Sequence, residues 1–133
     1  AAKEGIDKSN NNPYIIAVTL LTSMDSNALK GIGFTSSMND QILNLAKSAS
    51  QANLDGIVCS ARDIRNIRDF LPENFLYVTP GIRLYNKDKD DQKRVSTPLE
   101  AIKMGSDVIV IGRSITEAEH PEAVLNQIYD EIT

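Results

Sequence analysis

Four short apolar runs, each followed by a segment with helical signals, constrain the fold more than any other feature of this sequence. The runs are residues 14–21, 54–59, 75–78 and 107–111. The first is rich in Ile and Val without polar alternation, which is typical of a strand buried on both faces. A strand–helix order repeated four times predicts an α/β fold with a parallel sheet and right-handed crossovers.

Capping residues mark the predicted helix starts. Ser37, Ser60 and Thr97 each have an acidic residue three positions later, which is the spacing of a capping box. Behind Ser37 the apolar residues recur at helical spacing, and Leu45 belongs to the face expected to be buried. Pro121 opens a last helix with a broad apolar face.

Size and composition exclude several classes of protein. The 133 residues suffice for one domain, and an apolar fraction of 41% with 24% charged residues is ordinary for a soluble globular protein. A formal charge of −4 argues against a nucleic-acid partner. No apolar run approaches the roughly 20 residues that span a membrane. Cys59 is the only cysteine, which excludes an internal disulfide, favours a cytoplasmic location and predicts an inert buried thiol.

Four strand–helix units form either a small open sheet or half of an eightfold barrel. The gap of residues 79–96 is longer than ordinary connections, and connections of this length are usually functional or disordered. Gly112 and Arg113 directly follow the last strand, and a short extra turn is expected at residues 116–119. This arrangement is typical of the phosphate site after strands seven and eight of a barrel, which favours the barrel. Residues 1–133 are therefore interpreted as a single partial domain, and residues 1–7 as the end of a helix whose upstream part is missing.

Five blocks of sequence together resemble the bacterial type of orotidine 5′-phosphate decarboxylase. They occur in the same order as in that family and cover nearly the whole chain. The resemblance implies the C-terminal half, strands 5–8, of a TIM (β/α)8 barrel. The blocks are residues 16–24, 54–61, 78–83, 91–94 and 110–113.

The resemblance also implies which residues bind the substrate. Thr22, in the loop after the first strand of this half, would contact the pyrimidine. Gln92, Gly112 and Arg113 would hold the phosphate, and Arg83 is a further substrate-binding position. The chemistry is consistent, because a guanidinium forms two-pronged charge-assisted contacts with phosphate and a glycine lets a backbone N–H approach closely. From the sequence alone, Thr22 also fits a turn-capping residue, and Gln92 fits a solvated loop better than a ligand contact.

The catalytic residues of the family are absent from this sequence. The family has an Asp-x-Lys-x-x-Asp array after strands two and three, with one aspartate from a partner subunit, which implies a homodimer. The charged segment 88–91 lies in a polar loop and is not assigned this role. The resemblance thus implies a cofactor-free decarboxylase that converts orotidine 5′-phosphate (OMP) to UMP and CO₂. Its Lys/Asp array is expected upstream in the missing N-terminal half, so this chain alone is expected to be inactive. One His and one Cys, far apart, predict no metal site.

Two other interpretations are compatible with these residues. One is another sugar-phosphate barrel enzyme, such as a hexulose-phosphate synthase, which would depend on a metal. The other is a non-catalytic phosphate-ligand domain that folds alone. In the half-barrel interpretation the first and last strands have exposed edges, and either the complementary half or a second copy should cover them.

Overall fold

The computed structural model describes residues 2–8, 11–84 and 94–133, and a single parallel sheet organises them. A 3-10 turn, Arg68–Phe70, directly follows the helix Ala61–Ile67. The helices and strands, in chain order, are α1 (Ala2–Asp7), β1 (Ile16–Val18), α2 (Ser26–Gly31), α3 (Met38–Gln51), β2 (Gly56–Val58), α4 (Ala61–Ile67), β3 (Leu76–Thr79), α5 (Pro98–Met104), β4 (Val108–Ile109), α6 (Arg113–Thr116) and α7 (Pro121–Ile132).

The sheet has the order β1-β2-β3-β4, and every neighbouring pair is parallel. This confirms the predicted α/β fold. Three of the four strands, β1, β2 and β4, are shorter than the apolar runs that predicted them, whereas β3 has the same length as its run. In the first run, the Thr19 N–H still bonds to the Val58 carbonyl at 3.1 Å, and the chain then turns, with the Met24 N–H donating to the Leu21 carbonyl at 3.0 Å.

The main core lies between one face of the sheet and α3 and α4. Ile57 and Tyr77, at paired positions of β2 and β3, pack there with Ile42 and Ile64. Leu45 was predicted to share this face, and that prediction is wrong, since 40% of its surface is exposed. The helix presents a narrower stripe to the sheet than the spacing of its apolar residues suggested.

The opposite face of the sheet is not covered by the described residues. A row of valines crosses all four strands in register, Val18 to Val58 to Val78 to Val108. The two at the edges are 58% and 47% exposed. The expectation that the first strand is buried on both faces is therefore wrong for this chain by itself. We call this surface, with Val110, the open valine face.

Local capping chemistry sets the helix starts. The Thr97 hydroxyl accepts from the Glu100 N–H at 3.2 Å, and the Glu100 carboxylate accepts from the Thr97 N–H at 2.9 Å, which confirms the predicted capping box. The helix α2 was not predicted, and Asp25 caps it through the Ala28 N–H at 2.8 Å. The turn expected at residues 116–119 is wrong in position, because α6 begins directly at Arg113.

Two aspartates fasten the amino ends of neighbouring strands. Asp55, just before β2, accepts from the Ile15 N–H at 2.6 Å. Asp107, just before β4, accepts from the Tyr77 N–H at 2.8 Å. Asp55 thus joins β2 to β1, and Asp107 joins β4 to β3. The two side chains fix the register of these pairs at the amino ends of the strands, opposite the rim formed by their carboxyl ends. We call these contacts the aspartate clips.

No helix in the described ranges is long and apolar enough to cross a bilayer.

Candidate functional site

The candidate site is the rim formed by the carboxyl ends of the four parallel strands, where ligands bind in barrels and open α/β sheets. The described segments that form it are residues 19–25, 59–60, 80–84 with 94–97, and 110–113. Because all four strands point the same way, every predicted substrate-binding residue that the structure describes follows a strand at this end. Gln92 falls in residues 85–93, outside the described residues.

Thr22 lines a cavity of ≈ 200 Å³ at the carboxyl ends of β1, β2 and β3. Its side chain is buried, and Cys59 and Pro80 from the two neighbouring strand ends complete the wall. Thr22 does not cap α2, because Asp25 does so. The cavity thus has a largely apolar lining with few polar side chains, which is the ordinary character of a small-molecule site.

Arg83 lies where the chain leaves β3 and later returns toward α5. The two segments are joined by a parallel bridge between Ile82 and Ser96, in which the Arg83 N–H donates to the Ser96 carbonyl at 3.0 Å. Its side chain is buried, and its guanidinium donates to the Ile82 carbonyl at 3.1 Å. Arg83 therefore belongs to the fixed base of the 85–93 segment, and the prediction that it contacts substrate stays untested.

Gly112 and Arg113 follow β4 after Val110 and Ile111, next to the loop that leaves β3. Gly112 is exposed, and an added Cβ would meet no atom within 4 Å. Packing among the described residues thus does not require a glycine at position 112. Arg113 is the first residue of α6 and is half-buried. These two positions and Arg83 lie on neighbouring strand ends, whereas Thr22 lies at the other edge of the sheet.

An ion pair that sequence reasoning missed connects three of the rim loops. The Arg94 guanidinium donates to both oxygens of Asp63, at 2.9 and 2.7 Å. It also donates to the Leu21 carbonyl at 3.0 Å. Arg94 follows the β3 loop, Asp63 lies in α4 after β2, and Leu21 precedes Thr22. The only hint in the sequence was the position of Arg94, two residues after Gln92.

Burial is the largest cause of the pKa shifts of Asp63 and Cys59 at the rim. Burial raises the pKa of Asp63, and the nearby Arg94 opposes this rise without cancelling it. Burial, with a smaller contribution from Asp63, raises the pKa of Cys59 to about 12. The thiol is therefore neutral at physiological pH, which makes it a poor nucleophile and a poor metal ligand. The described residues contain no cluster of three His, Cys, Asp or Glu side chains that could hold a metal ion.

Parallel strands with helices on one face and a rim of arginine, glycine and polar residues define the class of β/α proteins that bind ligands at their strand ends. A model described as the "Orotidine 5'-phosphate decarboxylase / HUMPS family" matches residues 1–128, and the chain belongs to this family. The family predicted from the five blocks is thereby confirmed.

Curated relatives and solved structures agree with this assignment. Orotidine 5′-phosphate decarboxylase of Vibrio cholerae serotype O1 is 50% identical over 116 residues, which are 87% of this chain and 50% of that protein. The enzyme of Hydrogenovibrio crunogenus is 45% identical over 128 residues, 96% of this chain and 54% of that protein.

Among solved structures, the orotidine 5′-phosphate decarboxylase of Lactobacillus acidophilus superposes with a TM-score of 0.75 at 36% identity, covering 91% of this chain and 50% of that one. An uncharacterized conserved protein from Geobacillus kaustophilus gives 0.79 at 32% identity, covering 99% and 56%.

The chain thus spans about half the length of the relatives it matches. Its four parallel strands and their helices have the fold of half a (β/α)8 barrel, as predicted.

Proposed function

We propose that this chain is the substrate-binding half of an orotidine 5′-phosphate decarboxylase, which converts OMP to UMP and CO₂ without a cofactor. The observation that carries the proposal is the placement of Gly112 and Arg113 on the rim beside the β3 loop, in a chain of this family. The other half of the barrel would be the partner that completes the active site.

In this proposal the phosphate binds where the β3 and β4 loops meet. Arg113 provides the charge, and the open space at Gly112 lets a phosphate oxygen approach the backbone. Gln92 provides a further donor, and Arg83 supports the base of the same loop. The pyrimidine ring occupies the cavity lined by Thr22, at the carboxyl ends of β1 to β3.

The proposed division of labour follows from the chemistry of decarboxylation. Loss of CO₂ leaves a carbanion at C6, which needs a cation and a proton donor beside it. A Lys/Asp array on the complementary half would supply both. Binding energy from the distant phosphate positions the ring, and so lowers the barrier at a site that the phosphate never touches.

The experiment is calorimetric titration of the 133-residue chain with UMP, with uridine as the matched ligand that lacks the phosphate. We expect UMP to bind more tightly than uridine, and Arg113→Ala to weaken UMP binding by about 1.5–3 kcal/mol, the contribution of a hydrogen bond to a charged group. Uridine binding should be unchanged by this substitution. Equal binding of UMP by the variant and the original chain would contradict the phosphate role of Arg113.

The chain alone should release no CO₂ from OMP, which an isotope-release assay measures directly. Turnover by the purified 133-residue chain would show that its own residues carry the catalytic groups. We further propose that the complete enzyme works in the cytoplasm, for which the buried free thiol of Cys59 is the supporting observation. That it is a homodimer is proposed from the family resemblance alone.

A second candidate is a hexulose-phosphate synthase-like enzyme, because the matching family model carries the HUMPS name as well. Such an enzyme would bind a sugar phosphate at the same rim and would need a divalent metal. Tight binding of a pentulose or hexulose phosphate in place of UMP would favour it.

A further inference from the structure

The Arg94 guanidinium makes contacts in two directions at the rim. Its Nη1 donates to both carboxylate oxygens of Asp63 in α4, at 2.9 and 2.7 Å. Its Nη2 donates to the Leu21 carbonyl at 3.0 Å and lies 3.4 Å from the Leu20 carbonyl. The side chains of Arg94 and Asp63 are only 14% and 9% exposed, so solvent screens these contacts little. Arg94 thus ties the loop after β1 to a helix that packs on the sheet.

The carbonyls that Arg94 holds directly precede Thr22 in the chain, and they belong to one wall of the cavity at this rim. Residues 20–23 all line this cavity. At the start of this segment the Thr19 hydroxyl donates to a β2 carbonyl at 2.8 Å, and at its end Asp25 caps α2. Arg94 provides a third point of attachment between these two, and it lies 73 positions along the chain from the residue that it holds.

We propose that Arg94 is a positioning residue, which holds Thr22 and its neighbours where they form the wall against which the pyrimidine ring binds. The inference rests on the proposed function, since that function assigns the ring to this cavity. In this role Arg94 contacts the Leu21 carbonyl and not the ligand. Asp63 orients Arg94 in turn, because both of its carboxylate oxygens accept charge-assisted hydrogen bonds from the guanidinium.

Arginine is suited to this role because its two Nη atoms can be occupied separately. One faces Asp63, and the other faces the Leu21 carbonyl. Lysine has the same charge on a single nitrogen, so it cannot hold both partners in one fixed geometry. Arg94→Lys therefore keeps a cation beside Asp63 and loosens the loop, whereas Arg94→Met leaves a buried carboxylate without its partner. Circular dichroism shows whether each variant keeps its fold.

Hydrogen exchange measured by mass spectrometry tests the positioning step without a ligand. In Arg94→Lys, residues 19–25 should exchange about tenfold faster than in the original chain, because the segment loses one of its three attachments. Arg62→Lys is the matched control, since Arg62 is exposed and its guanidinium donates to the Val95 carbonyl at 2.8 Å. The control should leave the exchange of this segment unchanged. Equal exchange rates in all three chains would overturn the proposal.

Two ligands separate positioning of the ring from a general loss of stability. In calorimetric titrations, Arg94→Lys should weaken the binding of uridine about threefold to tenfold. Binding of ribose 5-phosphate, which has no ring, should be unchanged. Asp63→Asn keeps an acceptor for Arg94 but removes the charge, so it should give the same pattern with a smaller effect. Equal weakening of both ligands would overturn the positioning role, because a destabilised chain loses affinity for both.

A double-mutant cycle that combines Arg94→Lys with Thr22→Val then locates the effect. Each single substitution should weaken UMP binding, and the double variant should bind no more weakly than the weaker single variant, since both act on the same wall. Effects that multiply would overturn the positioning role. If UMP then still binds more tightly than uridine, the proposed function stands. A chain that binds UMP no more tightly than uridine would overturn the proposed function and this inference together.

Discussion

At the scale of single residues, the rim depends on one buried ion pair. Arg94 has a carboxylate and a backbone carbonyl among its partners, and these lie in segments separated by 31 and 73 positions along the chain. Removing one member of a buried pair leaves the other charge without compensation, which usually costs more than the pair itself contributes.

Arg94→Met should therefore destabilise the chain by about 3–5 kcal/mol at neutral pH. Burial already raises the pKa of Asp63, and without the guanidinium this pKa rises further. The native state then binds more protons than the unfolded state, so the free energy of unfolding of the variant falls as pH rises above the ordinary Asp pKa of about 4.

Denaturant titrations across acidic and neutral pH measure this change. Arg62→Met is the control, since Arg62 is exposed and its guanidinium donates to the Val95 carbonyl, at the same loop end, at 2.8 Å. Equal loss of stability in both variants, at every pH, would contradict a special role of the pair.

Cys59 predicts a pH dependence at the alkaline end. Its folded pKa of about 12 lies above its ordinary value of 9.0, so its contribution to stability is full below pH 9 and is lost as pH rises toward 12. The folded thiol should also react slowly with a disulfide reagent, because each pKa unit lowers the thiolate fraction about tenfold. Stopped-flow labelling of folded and urea-unfolded chain measures the difference, and equal rates would show that the thiol is accessible. Cys59→Ala should lack the alkaline loss.

At the scale of elements, two glycines that look alike in the sequence have opposite surroundings. A Cβ on Gly56 would lie 2.3 Å from the Leu76 carbonyl oxygen, because β2 and β3 approach closely there. A Cβ on Gly112 would meet nothing within 4 Å.

Gly56→Ala should therefore lower the free energy of unfolding by about 1–3 kcal/mol, the usual cost of overpacking. Gly112→Ala should leave stability within about 0.5 kcal/mol, as for surface positions, while weakening UMP binding. Thermal melts and UMP titrations of both variants check the two expectations. If Gly112→Ala proves as destabilising as Gly56→Ala, the glycine serves the fold and not the ligand.

Elements with local sequence signals could be predicted from the sequence, whereas features set by contacts between distant residues could not. The capping box at Thr97 and Glu100 involves residues three apart, so the sequence contains all of it. The exposure of Leu45 depends on how α3 sits on the sheet, which no local pattern encodes. For the site, strand order and the family resemblance predicted the rim positions of Gly112 and Arg113. The Asp63–Arg94 pair could not be predicted, because it joins residues 31 positions apart.

At the scale of the whole molecule, helices cover one face of the sheet, and no described residue covers the other. The helices bury Ile57 and Tyr77, while the open valine face is exposed. This asymmetry explains why the first apolar run looked like a strand buried on both sides. Its composition is that of a closed barrel, and the described chain provides cover for one side only.

The aspartate clips and the proposed ligand site lie at opposite ends of the sheet. Asp55 and Asp107 hold the strands at the amino end, far from every predicted ligand contact. Register is thus secured at the end of the sheet opposite the proposed substrate site. Substitutions in the rim loops can therefore accumulate without breaking the strand pairing. A related protein could in this way evolve to bind a different phosphorylated ligand on the same sheet.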